Sequence, residues 1–146
     1  MIKTGIKPLF FNLGESGLVF SIPLEPVAKQ RARVLKSGRS YTPKRTKDFE
    51  TALVGIVKEL YKGEPLVGPL KLSVIFFVKK PKKPKCLRPI TRPDLDNYIK
   101  SINDSLNNIL WIDDSQICEI RAKKSYSKSG GPWINFLIKK IKIMGG

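Results

Sequence analysis

Five of the chain's twelve carboxylates fall in one run, Asp94, Asp96, Asp104, Asp113 and Asp114, within a molecule of formal net charge +16. So many cations imply a polyanionic partner. A carboxylate cluster placed where phosphates must approach is repulsive unless a divalent cation lies between them. Asp94 and Asp96 are two residues apart and Asp114 lies beyond the next helical stretch, so carboxylates from two elements are candidates to share one cation. Aspartates without histidine or cysteine favour Mg²⁺, with Mn²⁺ as a substitute. Such a cation acidifies a bound water and neutralises a non-bridging phosphate oxygen. Lys100, one turn beyond Asp96, is then suited to orient that water or to stabilise developing charge. A plain structural reading competes. Asp is common at helix starts and in turns, and a surface Asp96–Lys100 pair contributes only about 0.3–0.5 kcal/mol. On residue types and spacing alone, a metal site and a solvated polar face are evenly matched.

No histidine occurs in the sequence. Imidazole-based hydrolases and nucleases are thereby excluded, which leaves metal-activated water as the chief route to hydrolysis. The cations are concentrated, seven in residues 29–45 and seven in residues 79–92. Lys29, Arg31, Arg33, Arg39, Lys44, Arg45, Lys80, Lys82, Lys83, Arg88 and Arg92 are the candidates to contact nucleic-acid phosphates, with a steep salt dependence expected. Cys86 and Cys118 lack the spacing of a zinc or dithiol site, and the apolar stretch 8–20 is too interrupted for a signal or a spanning helix. An intracellular protein with reduced thiols and no membrane partner is expected.

The elements that must position these groups follow from periodicity. The 146 residues fit one domain, with residues 1–16 as a loose arm or edge strand and residues 17–146 as its body. Residues 17–22 read as a strand, and the basic stretch up to Pro43 as a loop or ragged strand pair. Phe49, Leu53, Ile56 and Leu60 line one face of a helix over 46–61. Residues 70–78 read as a central strand covered on both sides, because Ile75 and Phe77 load its second face. Prolines 81, 84, 89 and 93 keep the second basic segment irregular. Leu95, Ile99, Ile102 and Leu106 then predict a helix with Asp94 as its N-cap. Its opposite side presents Asp96, Lys100, Asn103 and Asn107, with Asp104 adjacent. A strand follows in which Cys118, Ile120, Ala122 and Tyr126 share a face. The last strand, 133–143, changes register near Lys139 and Lys140, which predicts a bulge there. This order gives a small α+β domain with one mixed sheet and two principal helices.

The pattern Arg92-Pro93-Asp94-Leu95-Asp96-Asn97, with Lys100, Asp104, Leu106 and Trp111-Ile112-Asp113-Asp114-Ser115-Gln116, resembles the signature of the RusA family of Holliday-junction resolvases. Ile22-Pro23, the run Pro26-Val27-Ala28-Lys29-Gln30-Arg31-Ala32-Arg33 and Tyr41-Thr42-Pro43 resemble that family's N-terminal basic motif. The likeness runs from about Phe20 to Ile143. It departs at Ala32, where the family usually has proline, and in a segment 107–110 one residue shorter than a common form. The resemblance implies a RusA-like endonuclease domain and a Mg²⁺-dependent homodimer that nicks a four-way DNA junction symmetrically. By position it makes Asp94, Asp96 and Asp114 the catalytic aspartates, Lys100 the essential lysine, and Asp113 and Asp104 supporting residues. Two alternatives remain: a non-catalytic nucleic-acid-binding module whose aspartates only cap and turn, and a branched-DNA nuclease that prefers flaps or forks.

Overall fold

A computed structural model describes residues 6–128 and 131–142. The chain folds as a small α+β domain in which two helices cover one face of a mixed five-stranded sheet. The strands are β1 (Leu9–Asn12), β2 (Leu18–Ile22), β5 (Leu70–Val78), β6 (Ile117–Tyr126) and β7 (Trp133–Lys140). Their order is β1-β2-β7-β5-β6. The β5–β6 pair is parallel and the others are antiparallel. Two further strands, β3 (Arg33–Val34) and β4 (Ser40–Tyr41), form a short ribbon that carries the first basic segment. Helix α1 spans Lys44–Leu60 and helix α2 spans Leu95–Ser105.

Alternation in the strands decides where the core lies. Leu18, Phe20 and Ile22 of β2 face Ile138, Phe136 and Ile134 of β7, which face Leu72, Val74 and Phe76 of β5. All nine are buried beneath Phe49, Leu53 and Val57 of α1 and Tyr98 and Ile102 of α2. Neighbouring rings continue the layer: Phe20 stacks on Phe136 with centroids 4.8 Å apart and Phe76 on Tyr98 at 5.2 Å.

Two expectations need correction. β5 is internal but covered on one side only. Its inward residues are buried, whereas Ile75 and Phe77 on the other face are half-buried, with no helix above them among the described residues. No bulge occurs at Lys139 and Lys140, because β7 pairs with β5 in unbroken register as far as Lys140; Ile143 lies outside the described residues. The register shift lies instead between β5 and β6, where Leu70 pairs with Ile117 and Lys71 with Glu119, leaving Cys118 as the extra residue. The Cys118 bulge restores alternation, so that Ile120, Ala122 and Tyr126 share the helix-side face opposite Leu72, Val74 and Val78.

Helix α2 connects two parallel strands and must therefore run back along the sheet. Its N-terminus lies near the end of β6, since Lys124 donates to the Thr91 and Pro93 carbonyls, and its C-terminus approaches the start of β6.

Candidate active site

The carboxylates occupy both ends of α2. Asp94 is its N-cap residue by backbone conformation (φ −72°, ψ 148°), yet its side chain makes no capping bond, while its carbonyl accepts from the Asn97 and Tyr98 amides. The Asp94 carboxylate is exposed and, among the described residues, uncommitted. Asp96 and Lys100 are exposed one turn apart on the side of the helix opposite Tyr98 and Ile102. The ion pairs within 4.0 Å among the described residues do not include Asp96 with Lys100. Asp104 is half-buried on the flank toward α1, with Lys29 Nζ 3.8 Å from it.

Asp113 and Asp114 belong to a 3-10 turn (Asp114–Gln116) beyond the other end of α2. Asp113 caps it: its Oδ2 accepts from the Ser115 amide, and Gln116 Oε1 accepts from the Asp113 amide, a reciprocal capping box. The bond from Ser115 holds the Asp113 carboxyl below its ordinary value. Gln116 also donates to the Leu66 and Gly68 carbonyls, which fastens the turn to the strand ahead. Asp114 faces elsewhere. Its Oδ1 accepts from the Asn107 amide at 3.2 Å, and Asn107 Oδ1 accepts from the indole Nε1 of fully buried Trp111 at 2.8 Å.

Eleven residues of α helix are about 16 Å long. That length separates Asp94 and Asp96 from Asp114, and among the described residues no three carboxylate or thiol side chains stand close enough to hold a metal ion. The donor set still suits a hard cation. It is all oxygen, and among the described residues Asp94 and Asp96 have no competing ion pair.

Beside Asp94 a cleft of about 370 Å³ opens between residues 25–30, the first turn of α2 and Arg45 of α1. Its walls include Tyr98, whose phenol is pushed up by burial and then by the Glu25 carboxylate, with Arg45 opposing. Of the proposed DNA contacts, Arg31, Arg33 and Arg39 are exposed on or beside the β3–β4 ribbon, and Lys44 and Arg45 on the first turn of α1. Lys80, Lys82, Lys83, Arg88 and Arg92 are exposed on the irregular segment leading to Asp94. Lys29 differs, being half-buried: its Nζ is 2.6 Å from Glu50 Oε1 and its amide donates to the Asn97 carbonyl, so it ties the basic loop to both helices.

A family model described as Endodeoxyribonuclease RusA matches residues 23–135. The chain belongs to the RusA endodeoxyribonuclease family. It is 31% identical over 138 residues to the Uncharacterized protein YqaN of Bacillus subtilis (strain 168), covering 84% of this chain and 95% of that protein. It is 47% identical over 58 residues to the Crossover junction endodeoxyribonuclease rusA of Lactococcus phage r1t, covering 38% of this chain and 44% of that one. RusA membership implies an endodeoxyribonuclease.

Two further positions stand beside the candidate site, one of them expected on the polar face of the helix and the other not singled out by sequence. Asn107 lies just past α2, not on its polar face, because the helix stops at Ser105 and Leu106 is its C-cap. The signal for it was Trp111, a buried indole that must find an acceptor. Lys124 is half-buried, and its ammonium bonds at 3.0 Å to both the Thr91 and Pro93 carbonyls, anchoring the segment from which Asp94 projects. Nothing in its local sequence separates it from the neighbouring Lys123.

Proposed function

We propose that the protein is a Mg²⁺-dependent endodeoxyribonuclease that resolves four-way DNA junctions by paired nicks, acting as a homodimer. The observation that carries this reading is the uncommitted pair Asp94 and Asp96, exposed at the end of a cation-rich segment in a RusA-family chain. Mn²⁺ would substitute in the same oxygen donor set. The crossover-junction name of the phage relative supports the substrate.

Asp94, Asp96 and Asp114 are the residues that would hold the cation, which would acidify a bound water and neutralise a phosphate oxygen. The rest falls to the chain. Lys100 brings a fixed positive charge one turn from Asp96, toward the phosphate whose charge rises as the bond breaks. Asn107 fixes the Asp114 rotamer against the core through Trp111. The ribbon and the segment 79–93 supply cations to hold the junction arms.

A dimer resolves the separation of the carboxylates. Asp96 and Lys100 are exposed on the side of α2 turned away from the core. A two-fold axis crossing α2 of each chain would lay the two helices antiparallel. It would then bring Asp94 and Asp96 of one chain toward Asp114 of the partner subunit, making two equivalent sites. A four-way junction has the matching approximate two-fold symmetry.

The test is an end-labelled four-way junction and a linear duplex of matched sequence, each incubated with Mg²⁺ and with EDTA and resolved on a denaturing gel. Paired symmetric nicks in the junction alone, only with Mg²⁺, are expected. Asp94→Asn, Asp96→Asn and Asp114→Asn should lose cleavage by at least about a hundredfold while still retarding the junction. Normal turnover by all three would refute the site. Binding without cutting in either Mg²⁺ or Mn²⁺ would refute the nuclease, and equal cutting of flaps and forks would refute the junction preference.

A further inference from the structure

We propose that the cleft beside Asp94 receives one nucleotide base, unstacked from the DNA next to the phosphate that is cut; the proposal rests on the nuclease reading above. The cleft's volume of about 370 Å³ lies at the small end of the roughly 300–1,000 Å³ typical of small-ligand sites. Two features distinguish it from a groove for phosphates. Its floor is apolar: Val27, Ala28 and Val78 pack against the core, with buried Tyr98 beside them. Hydrocarbon contributes nothing to a phosphate, whereas the flat faces of a base gain from it.

Its rim is also mixed in charge, with Glu25 and Asp94 standing among Lys29, Arg45 and Arg92. Glu25 lines the cleft with its Oε1 3.8 Å from the Arg45 guanidinium, so each offsets the other's field. A carboxylate repels a phosphate but accepts a hydrogen bond from a base amino group. Gln30 and Asn97 line the same cleft, and each amide offers a donor and an acceptor suited to the edge of a base. Asp94 is part of the wall, so a base seated here is next to a phosphate held at Asp94. Unstacking is least costly where a helix is already interrupted. The cleft therefore favours cutting at a branch point over cutting within a duplex.

The experiment measures cutting rates with Mg²⁺ on an intact four-way junction and on a set of junctions, each carrying one abasic site at successive positions around the nick. The wild type should lose about tenfold or more in rate at a single position adjacent to the cut phosphate. In Ala28→Phe, which fills the floor, the intact junction should be cut more slowly and that abasic site should cost nothing further. In Gln30→Ala, an exposed loop change that leaves the floor intact, the abasic effect should shrink to about threefold. The second variant decides the matter if the first does not fold. No cutting of the intact junction by the wild type overturns the nuclease reading and the proposal with it. Cutting of the intact junction with no sensitive position overturns the proposal alone. So does an abasic effect that persists undiminished in the variants.

Discussion

Asn107 joins the core to Asp114, a candidate cation ligand. It accepts from buried Trp111 and donates to Asp114, so Asn107→Ala leaves an indole N–H buried without a partner and frees a carboxylate rotamer. The first effect should lower stability by about 1–3 kcal/mol, read as a shift in the urea midpoint. The second should lower cleavage beyond what the stability loss explains, measured well below the melting temperature. Unchanged stability would mean that the indole finds another acceptor. Asp113 is the opposite case, a carboxylate engaged in a cap. Its pKa in the fold is depressed below the ordinary value of 3.8 by the bond from Ser115. Its contribution is therefore present above that ordinary value and is lost as pH falls through the lower, folded one. The stability gap between the wild type and Asp113→Ala should be open at neutral pH and close in strong acid. A constant gap would show that the cap does not depend on the charge. At this scale the spacing of the aspartates was legible, because N-cap and turn positions follow from neighbours in sequence. Whether each carboxylate was committed was not legible. Asp94 occupies an N-cap position without capping, and Asp113 caps with its partner only two residues away.

Among the elements, the loop before α2 depends on a residue from a strand distant in sequence. Lys124 of β6 binds the Thr91 and Pro93 carbonyls, and Asp94 follows directly. Lys124→Gln cannot span both acceptors, so the segment 79–93 should loosen while the sheet persists. Cleavage should fall several-fold, trypsin should cut the segment faster, and the melting temperature should move by no more than about 2–4 °C. Equal protease sensitivity in wild type and variant would remove the anchoring role. Both helices were legible from the 3.6-residue repeat of Phe49, Leu53, Leu95, Ile99 and Ile102, and most strands from alternation. The bulge was misplaced because an extra residue leaves the same phase change wherever pairing slips. Only the partner strand fixed it at Cys118. Coverage of β5 was overestimated because Ile75 and Phe77 make an apolar second face, yet both helices pack on the first.

At the level of the whole molecule, the fold separates the candidate ligands in a way that a mixing experiment can expose. Asp96 and Asp114 lie at opposite ends of α2, so a site containing both must draw them from two chains if the helices pair antiparallel. In the proposed homodimer, Asp96→Asn and Asp114→Asn should each destroy both sites. Co-refolding the two variants in equal amounts gives about half heterodimers by random association. In each heterodimer one site receives Asp94 and Asp96 from the Asp114→Asn chain and Asp114 from the other, and is intact. The second site contains both substitutions. Activity should therefore return to about one quarter of the wild-type nicking rate, as single nicks in place of paired ones. If each site were built within one chain, every site in the mixture would carry one lesion and no activity would return. A mixture of Asp94→Asn with Asp96→Asn is the internal control: both lesions fall at the same end of α2, so each heterodimer site keeps one substitution in either geometry and must stay silent.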